Sequence, residues 1–235
     1  MVGAQALALM MTMERTSGAD KPRISHGRVN RKVTTKDLRR VNLGKAFWWT
    51  KAEDIQVEAV RDVVVRYQDR IDEMIKTASG VLFTGGAGVG KTSAASCLMK
   101  KAISRGFTTY FVTHDELREI RFDSSGLFGD GTDGVTVKQQ IERAQLLVLD
   151  NFNAPFLTDK AFGPLELERL MGKRSARMLT TVMTSRVGAS LQQEQHKDLF
   201  EALRGCMVPV NIEGKNLRDR NCEELEKRVF GGDDE

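Results

Sequence analysis

The chain has 235 residues, 40% hydrophobic and 29% charged, which excludes a disordered or fibrous protein and suits one well-buried α/β domain plus a short extension. No apolar run approaches the roughly 18 residues that span a bilayer, and Cys97, Cys206 and Cys222 are too few and too widely spaced for a zinc site or disulfide framework. The net charge of +4 is uneven, because residues 1–45 carry ten Lys/Arg against three Asp/Glu.

In chain order, Ala4–Met13 is apolar but short, with no basic residue before it. It reads as an irregular start or a small docking helix rather than a secretory signal. Residues 1–45 as a whole read as a basic, flexible arm that neutralises phosphates or docks on an acidic protein surface. Ala46-Phe47-Trp48-Trp49 is an aromatic cluster, suited to stacking on adenine or to a hydrophobic staple. Thr50-Lys51-Ala52-Glu53 has capping-box spacing. The apolar positions from Ile55 to Ile75 then predict one amphipathic helix over 51–77.

Gly80–Thr84 reads as a buried strand, followed by a glycine-rich loop and a helix to about Ser104. Phe107–Thr113 reads as a second strand and Asp115–Ile120 as the start of a helix. Asp123–Gly134 reads as a flexible loop, 136–145 as a helix, and Leu146–Asp150 as a third strand. Leu165–Lys173 is helical, Met178–Thr184 a fourth strand, Gln192–Arg204 helical, and Val208–Ile212 a fifth strand. Strands alternating with helices predict a parallel sheet covered on both faces.

Two segments carry chemistry. Gly85-Gly86-Ala87-Gly88-Val89-Gly90-Lys91-Thr92 fits G-x-x-x-x-G-K-[ST], with Ser93 following in the helix. Glycines let the backbone turn its N–H groups onto a polyphosphate, and the helix N-terminus favours anions. The motif assigns Lys91 to the β- and γ-phosphates of ATP and Thr92 to Mg²⁺. Leu146–Asp150 is an apolar strand ending in an acid, which beside such a loop suits the metal shell, so Asp150 is the second Mg²⁺ candidate.

The order of these pieces resembles the DnaC/IstB group of AAA+ helicase-loader and transposition ATPases. The likeness runs from the aromatic segment to Val210-Asn211-Ile212-Glu213-Gly214-Lys215-Asn216-Leu217-Arg218 and spans residues 46–220. It implies an α/β fold: a five-stranded parallel P-loop NTPase sheet of the RecA-like (ASCE) kind, sandwiched by helices, without a separate lid domain. The domain boundaries that follow are a 1–45 arm, a 46–220 ATPase domain, and a 221–235 helix end and acidic tail.

In AAA+ proteins Glu usually follows the strand acid and polarises the attacking water. Here Asn151 stands in its place, and an amide orients water without taking a proton. The resemblance therefore implies slow hydrolysis or a base from elsewhere, with Asp159 and Glu166 as candidates. Thr184 and Ser185 match the group's T-S-N sensor segment, while Arg186 departs from its Asn. Arg204 is the candidate arginine finger toward a neighbouring subunit, Arg174 the alternative, and Arg218 the sensor-2-like arginine.

The implied function is an ATP-dependent loader that oligomerises and delivers a replicative DNA helicase to single-stranded DNA in the cytoplasm. A transposition ATPase that coats duplex DNA and serves a transposase fits almost as well. A P-loop kinase of a nucleotide or small molecule is the reading from another class, but the nearest lid-like segment, 123–134, contains no arginine.

Overall fold

The structure is a computed structural model and describes residues 30–122, 136–160, 162–187, 197–214 and 216–217. Five strands form the sheet: β1 (Gly80–Gly85), β2 (Thr109–Thr113), β3 (Leu146–Phe152), β4 (Thr180–Ser185) and β5 (Met207–Ile212). All pair in parallel, in the order β2-β3-β4-β1-β5. The predicted parallel five-stranded sheet is therefore present.

Side-chain alternation along the strands builds two cores. Val81, Phe83, Val148, Val182 and Val210 face one side, under helices α2 (Glu58–Asp69), α3 (Ile71–Lys76) and α4 (Lys91–Ser104). Leu82, Leu147, Leu149, Met183 and Met207 face the other. That side is covered by α5 (His114–Phe122), α6 (Val137–Arg143), α7 (Pro164–Ser175) and α8 (Lys197–Arg204). Burial on both faces explains why the strands read as continuous apolar runs. No helix among the described residues is long and apolar enough to cross a membrane.

Two sequence expectations need correction. The single helix over 51–77 is three pieces: a 3-10 turn at Ala52–Asp54, then α2, then α3. The backbone N–H of Lys51 donates to Asp54 Oδ2 at 2.7 Å, so Asp54 rather than Glu53 closes the capping turn. The chain then runs extended to bury Ile55 before α2 starts.

The second correction concerns the arm. Residues 30–45 are part of the domain. Helix α1 (Thr35–Arg40) has a capping box between Thr34 and Asp37. Leu38 and Leu43 are buried in the first core. Phe111 N–H donates to Val41 O at 2.9 Å, and Asn42 Nδ2 donates to Phe111 O at 3.1 Å. Strand β2 is one of the sheet's two edge strands, so this segment satisfies main-chain groups of Phe111 on an edge that would otherwise invite pairing. The arm's first 29 residues, the Asp123–Gly134 loop and the 221–235 tail lie outside the described residues.

Because every strand is parallel, the C-terminal ends of β1, β3 and β4 lie along one rim. Strand β4 separates β1 from β3, with Thr84 level with Ser185 and Ser185 level with Phe152. The glycine loop, Asp150 and Thr184 therefore open on the same crevice.

Candidate nucleotide site

The glycine loop leaves β1 and enters α4. Gly85, Gly88 and Gly90 have φ of 137°, 69° and 92°, in the region that side chains disfavour. At Gly88 the demand is also steric: a Cβ there would lie 1.6 Å from Asn216 Oδ1. Leu217 N–H donates to Gly88 O at 3.1 Å, so the closing segment after β5 sits on the loop. Val89 is buried and anchors the loop to the core, while Gly86 and Ala87 are exposed.

Helix α4 has Gly90 as its N-cap, with no side-chain capping bond. A helix N-terminus of this kind favours an anion. Lys91 is 8% exposed, and its ammonium donates to the carbonyls of Gly85, at 2.9 Å, and Gly86. Backbone carbonyls hold the charge where a phosphate oxygen would take it over.

Thr92, Asp150 and Thr184, which are far apart in sequence, meet at one oxygen. Thr92 Oγ1 donates to Asp150 Oδ1 at 2.9 Å, and Thr184 Oγ1 donates to the same oxygen at 2.6 Å. Thr184 Oγ1 in turn accepts the N–H of Asn151 at 3.0 Å. Burial pushes the Asp150 pKa up. The two hydroxyls, the Lys91 charge and the Asn151 N–H pull it back. A hydroxyl and a carboxylate on adjoining elements are hard oxygen donors that suit Mg²⁺. Together with the uncapped helix and the glycine cradle, they fit an ATP–Mg²⁺ site.

Beside this site, the family described as IstB-like ATP binding protein matches residues 27–204. The chain belongs to this family. Its fold is that of the AAA+ P-loop ATPases. The solved DnaC helicase loader aligns with a TM-score of 0.59 at 16% identity, covering 72% of this chain and 100% of that one. The solved DnaI aligns with a TM-score of 0.55 at 20% identity, covering 76% and 98%. A curated adenylyl-sulfate kinase of Clostridium acetobutylicum is 29% identical over 119 residues. That match takes in 48% of this chain and 57% of the kinase.

In this IstB-like protein, Asn151 sits at φ 67°, where β3 shifts register between Leu149 and Phe152. Its Oδ1 accepts from Asn153 Nδ2 at 2.9 Å. Asn153 Oδ1 is buried without a hydrogen-bond partner among the described residues. Ser185 Oγ donates to Phe152 O at 3.0 Å and accepts the Val187 N–H, so it holds the turn after β4. Arg186 is exposed.

The two candidate bases are engaged elsewhere. Asp159 faces His114 at 3.3 Å and Arg118 at 2.6 Å, and accepts the Phe162 N–H. Glu166 pairs with Arg169 at 2.9 Å. His114 is buried among Phe152, Phe156 and Phe162 and bonds Phe162 O, which ties the start of α5 to the segment after β3. Nothing in the sequence spacing pointed to this cluster.

Arg174 cannot serve as a finger in this fold. It is wholly buried, and donates to Thr181 Oγ1 and to the carbonyls of Ile141, Ala144 and Thr180 at 2.6–3.0 Å. Two of those carbonyls belong to the C-terminal end of α6, where a cation is favoured. Burial pulls the Arg174 pKa down to about 9. Arg204 ends α8 exposed, its guanidinium 5.7 Å from the Phe200 ring centre. Arg218 lies outside the described residues.

The aromatic cluster is also not at the nucleotide. Lys100 Nζ donates to the carbonyls of Phe47 (2.7 Å), Trp48 (3.5 Å) and Thr50. Lys100 is nine positions after Lys91, about 13 Å further along α4. Phe47 and Trp48 pack on the first core, which is the staple rather than the adenine reading.

Proposed function

We propose that this IstB-like protein is an ATP-controlled helicase loader that binds ATP and Mg²⁺, assembles with copies of itself, and delivers a replicative helicase to single-stranded DNA. The observation that carries this reading is the likeness to DnaC and DnaI over 100% and 98% of those chains.

In this mechanism Lys91 leaves the Gly85 and Gly86 carbonyls for the β- and γ-phosphates. Thr92 and Asp150 hold the Mg²⁺, which when bound neutralises phosphate charge. The main chain of Gly85, Gly86, Ala87, Gly88, Val89 and Gly90 cradles the phosphates, and Ser93 lies in the helix turn behind them. Thr184 keeps Asp150 aimed. Asn151 orients a water but takes no proton from it, so turnover is slow and ATP binding does most of the switching. Arg204 reaches the γ-phosphate of a neighbouring subunit, and Arg218 contacts its own nucleotide. An interface that completes the site makes assembly and ATP binding one linked event.

Mixing the protein with a hexameric replicative helicase, ATP and single-stranded DNA tests this reading. A defined complex and ATP-dependent transfer of helicase to the strand are expected. ATP-dependent coating of duplex DNA with no helicase present would instead support a transposition ATPase. The kinase relative raises a third outcome, phosphate transfer from ATP to a small acceptor, which would overturn both.

A further inference from the structure

The basic segment that the sequence presents as a tail is a folded pad on the ATPase domain, and it carries an exposed indole. Residues 30–51 contain seven Lys/Arg and one acidic residue. That acid, Asp37, is held by both guanidinium nitrogens of Arg31, at 2.8 and 3.0 Å. Helix α1 buries Leu38 and exposes Lys36, Arg39 and Arg40. At about 100° per residue these three lie within an arc of roughly 100°, opposite Leu38.

The chain then folds back. Trp48 Nε1 donates to Leu43 O at 2.7 Å, and the Arg39 guanidinium lies 5.8 Å from the Trp48 ring centre. Lys100 fixes the carbonyls on both sides of Trp49. The backbone at Trp49 is thereby pinned while its side chain stays out: Trp49 is 76% exposed, the most exposed large hydrophobic residue among the described residues. Lys45 and Lys51, both exposed, flank it in sequence. The pad ends where Glu53 and Asp54 begin an acidic turn.

An exposed indole on a pinned backbone, within a segment that also exposes guanidinium and ammonium groups, fits an unpaired nucleic-acid strand. Bases stack on the ring and phosphates meet the cations. A duplex hides its base faces and leaves the ring without a partner. An acidic protein surface would use the charges but gives no role to the indole.

We propose that Trp49, with Lys36, Arg39, Arg40, Lys45 and Lys51, forms a contact site for single-stranded nucleic acid on the outside of the ATPase domain. It rests on the strand-binding part of the proposed function and adds a place for it. The site is separate from the glycine loop, so it works without nucleotide.

Both tryptophans of the chain lie in this pad, which gives the test. Oligo(dT) is titrated into the full chain without ATP, and emission of the wild type is compared with Trp49→Phe to isolate Trp49. Quenching of Trp49 is expected. Trp49→Ala should weaken binding by roughly tenfold, within the range for one lost stack. Lys36→Glu with Lys45→Glu should flatten the slope of log affinity against log salt by about 0.7 for each phosphate contact removed. None of these changes should alter ATP binding.

If Trp49 is not quenched and Trp49→Ala binds oligo(dT) like the wild type, the proposal is wrong, even if ATP-driven strand binding elsewhere keeps the loader reading intact. Quenching by polyglutamate in place of oligo(dT) overturns it in favour of an acidic protein partner. Equal, Trp49-dependent binding of a blunt duplex overturns the stacking argument. Absence of nucleic-acid binding in every condition, with and without ATP, removes the loader reading as well.

Discussion

Thr184 Oγ1 donates to Asp150 Oδ1 at 2.6 Å while accepting the N–H of Asn151. One hydroxyl at the end of β4 thus fixes both the metal-site acid and the residue after it. Replacing Thr184 by Val removes the donor and leaves the Asn151 N–H without its acceptor. Thr184 is among the influences that lower the Asp150 pKa. Its loss raises that pKa further, so the acid side of the pH–rate profile moves to higher pH. Phosphate release at neutral pH should fall by roughly tenfold or more, with Thr184→Ser close to wild type. An unshifted profile for Thr184→Val would remove the hydroxyl from the mechanism.

Burial raises the folded-state pKa of Asp150. Such a group favours the fold when protonated, and that contribution is lost as pH rises through the folded pKa. Asp150→Asn should therefore melt higher than the wild type at neutral pH in the absence of nucleotide. The difference should vanish in acid, where both side chains are neutral. The same variant should lose Mg²⁺-dependent nucleotide binding. Differential scanning calorimetry across pH checks the first point and ATP titration the second.

The two arginines weighed as fingers separate cleanly. Arg174 satisfies three backbone carbonyls from inside the second core. Arg174→Ala should cost on the order of 3 kcal/mol in urea unfolding, because those acceptors lose their donor and a large buried volume empties. Arg204→Ala changes an exposed side chain and should stay within about 0.5 kcal/mol. It should instead lower ATP turnover of the assembled protein by several orders of magnitude, since fingers contribute about 10³-fold or more. Normal turnover in Arg204→Ala assemblies would exclude that residue as the finger.

Gly88 and Gly90 both have positive φ, but only Gly88 is crowded, by Asn216. Gly88→Ala should abolish ATP binding and lower the melting temperature. Gly90→Ala adds a methyl into open space and should show only the backbone cost of about 1 kcal/mol. Equal effects would mean that the closing segment does not seat on the loop.

Asn151→Glu restores a proton acceptor. Phosphate release should rise by about a hundredfold, the low end for general-base catalysis. An unchanged rate would place the slow step outside the chemistry.

The sheet was legible because its strands are buried on both faces and so read as apolar runs between helical periods. The glycine loop was legible because few backbones can meet a polyphosphate. Other features depend on what the fold brings together. Charge density in residues 30–45 masked Leu38 and Leu43, the two side chains that dock the segment. The break between α2 and α3 at Arg70 leaves the apolar periodicity intact, so spacing alone could not find it. Arg174 read as an alternative finger because its carbonyl partners come from α6 and β4, 6 to 33 positions away. The aromatic cluster left the adenine and staple readings open because sequence does not say how far along α4 it docks.

Light scattering of the pure protein with ATP and Mg²⁺, with and without single-stranded or duplex DNA, tests the central claim most directly, with Lys91→Ala as the control. Assembly that ATP drives, that single-stranded DNA enhances, and that Lys91→Ala abolishes is the predicted result. A wild type that stays monomeric in every condition would contradict a nucleotide site completed between subunits.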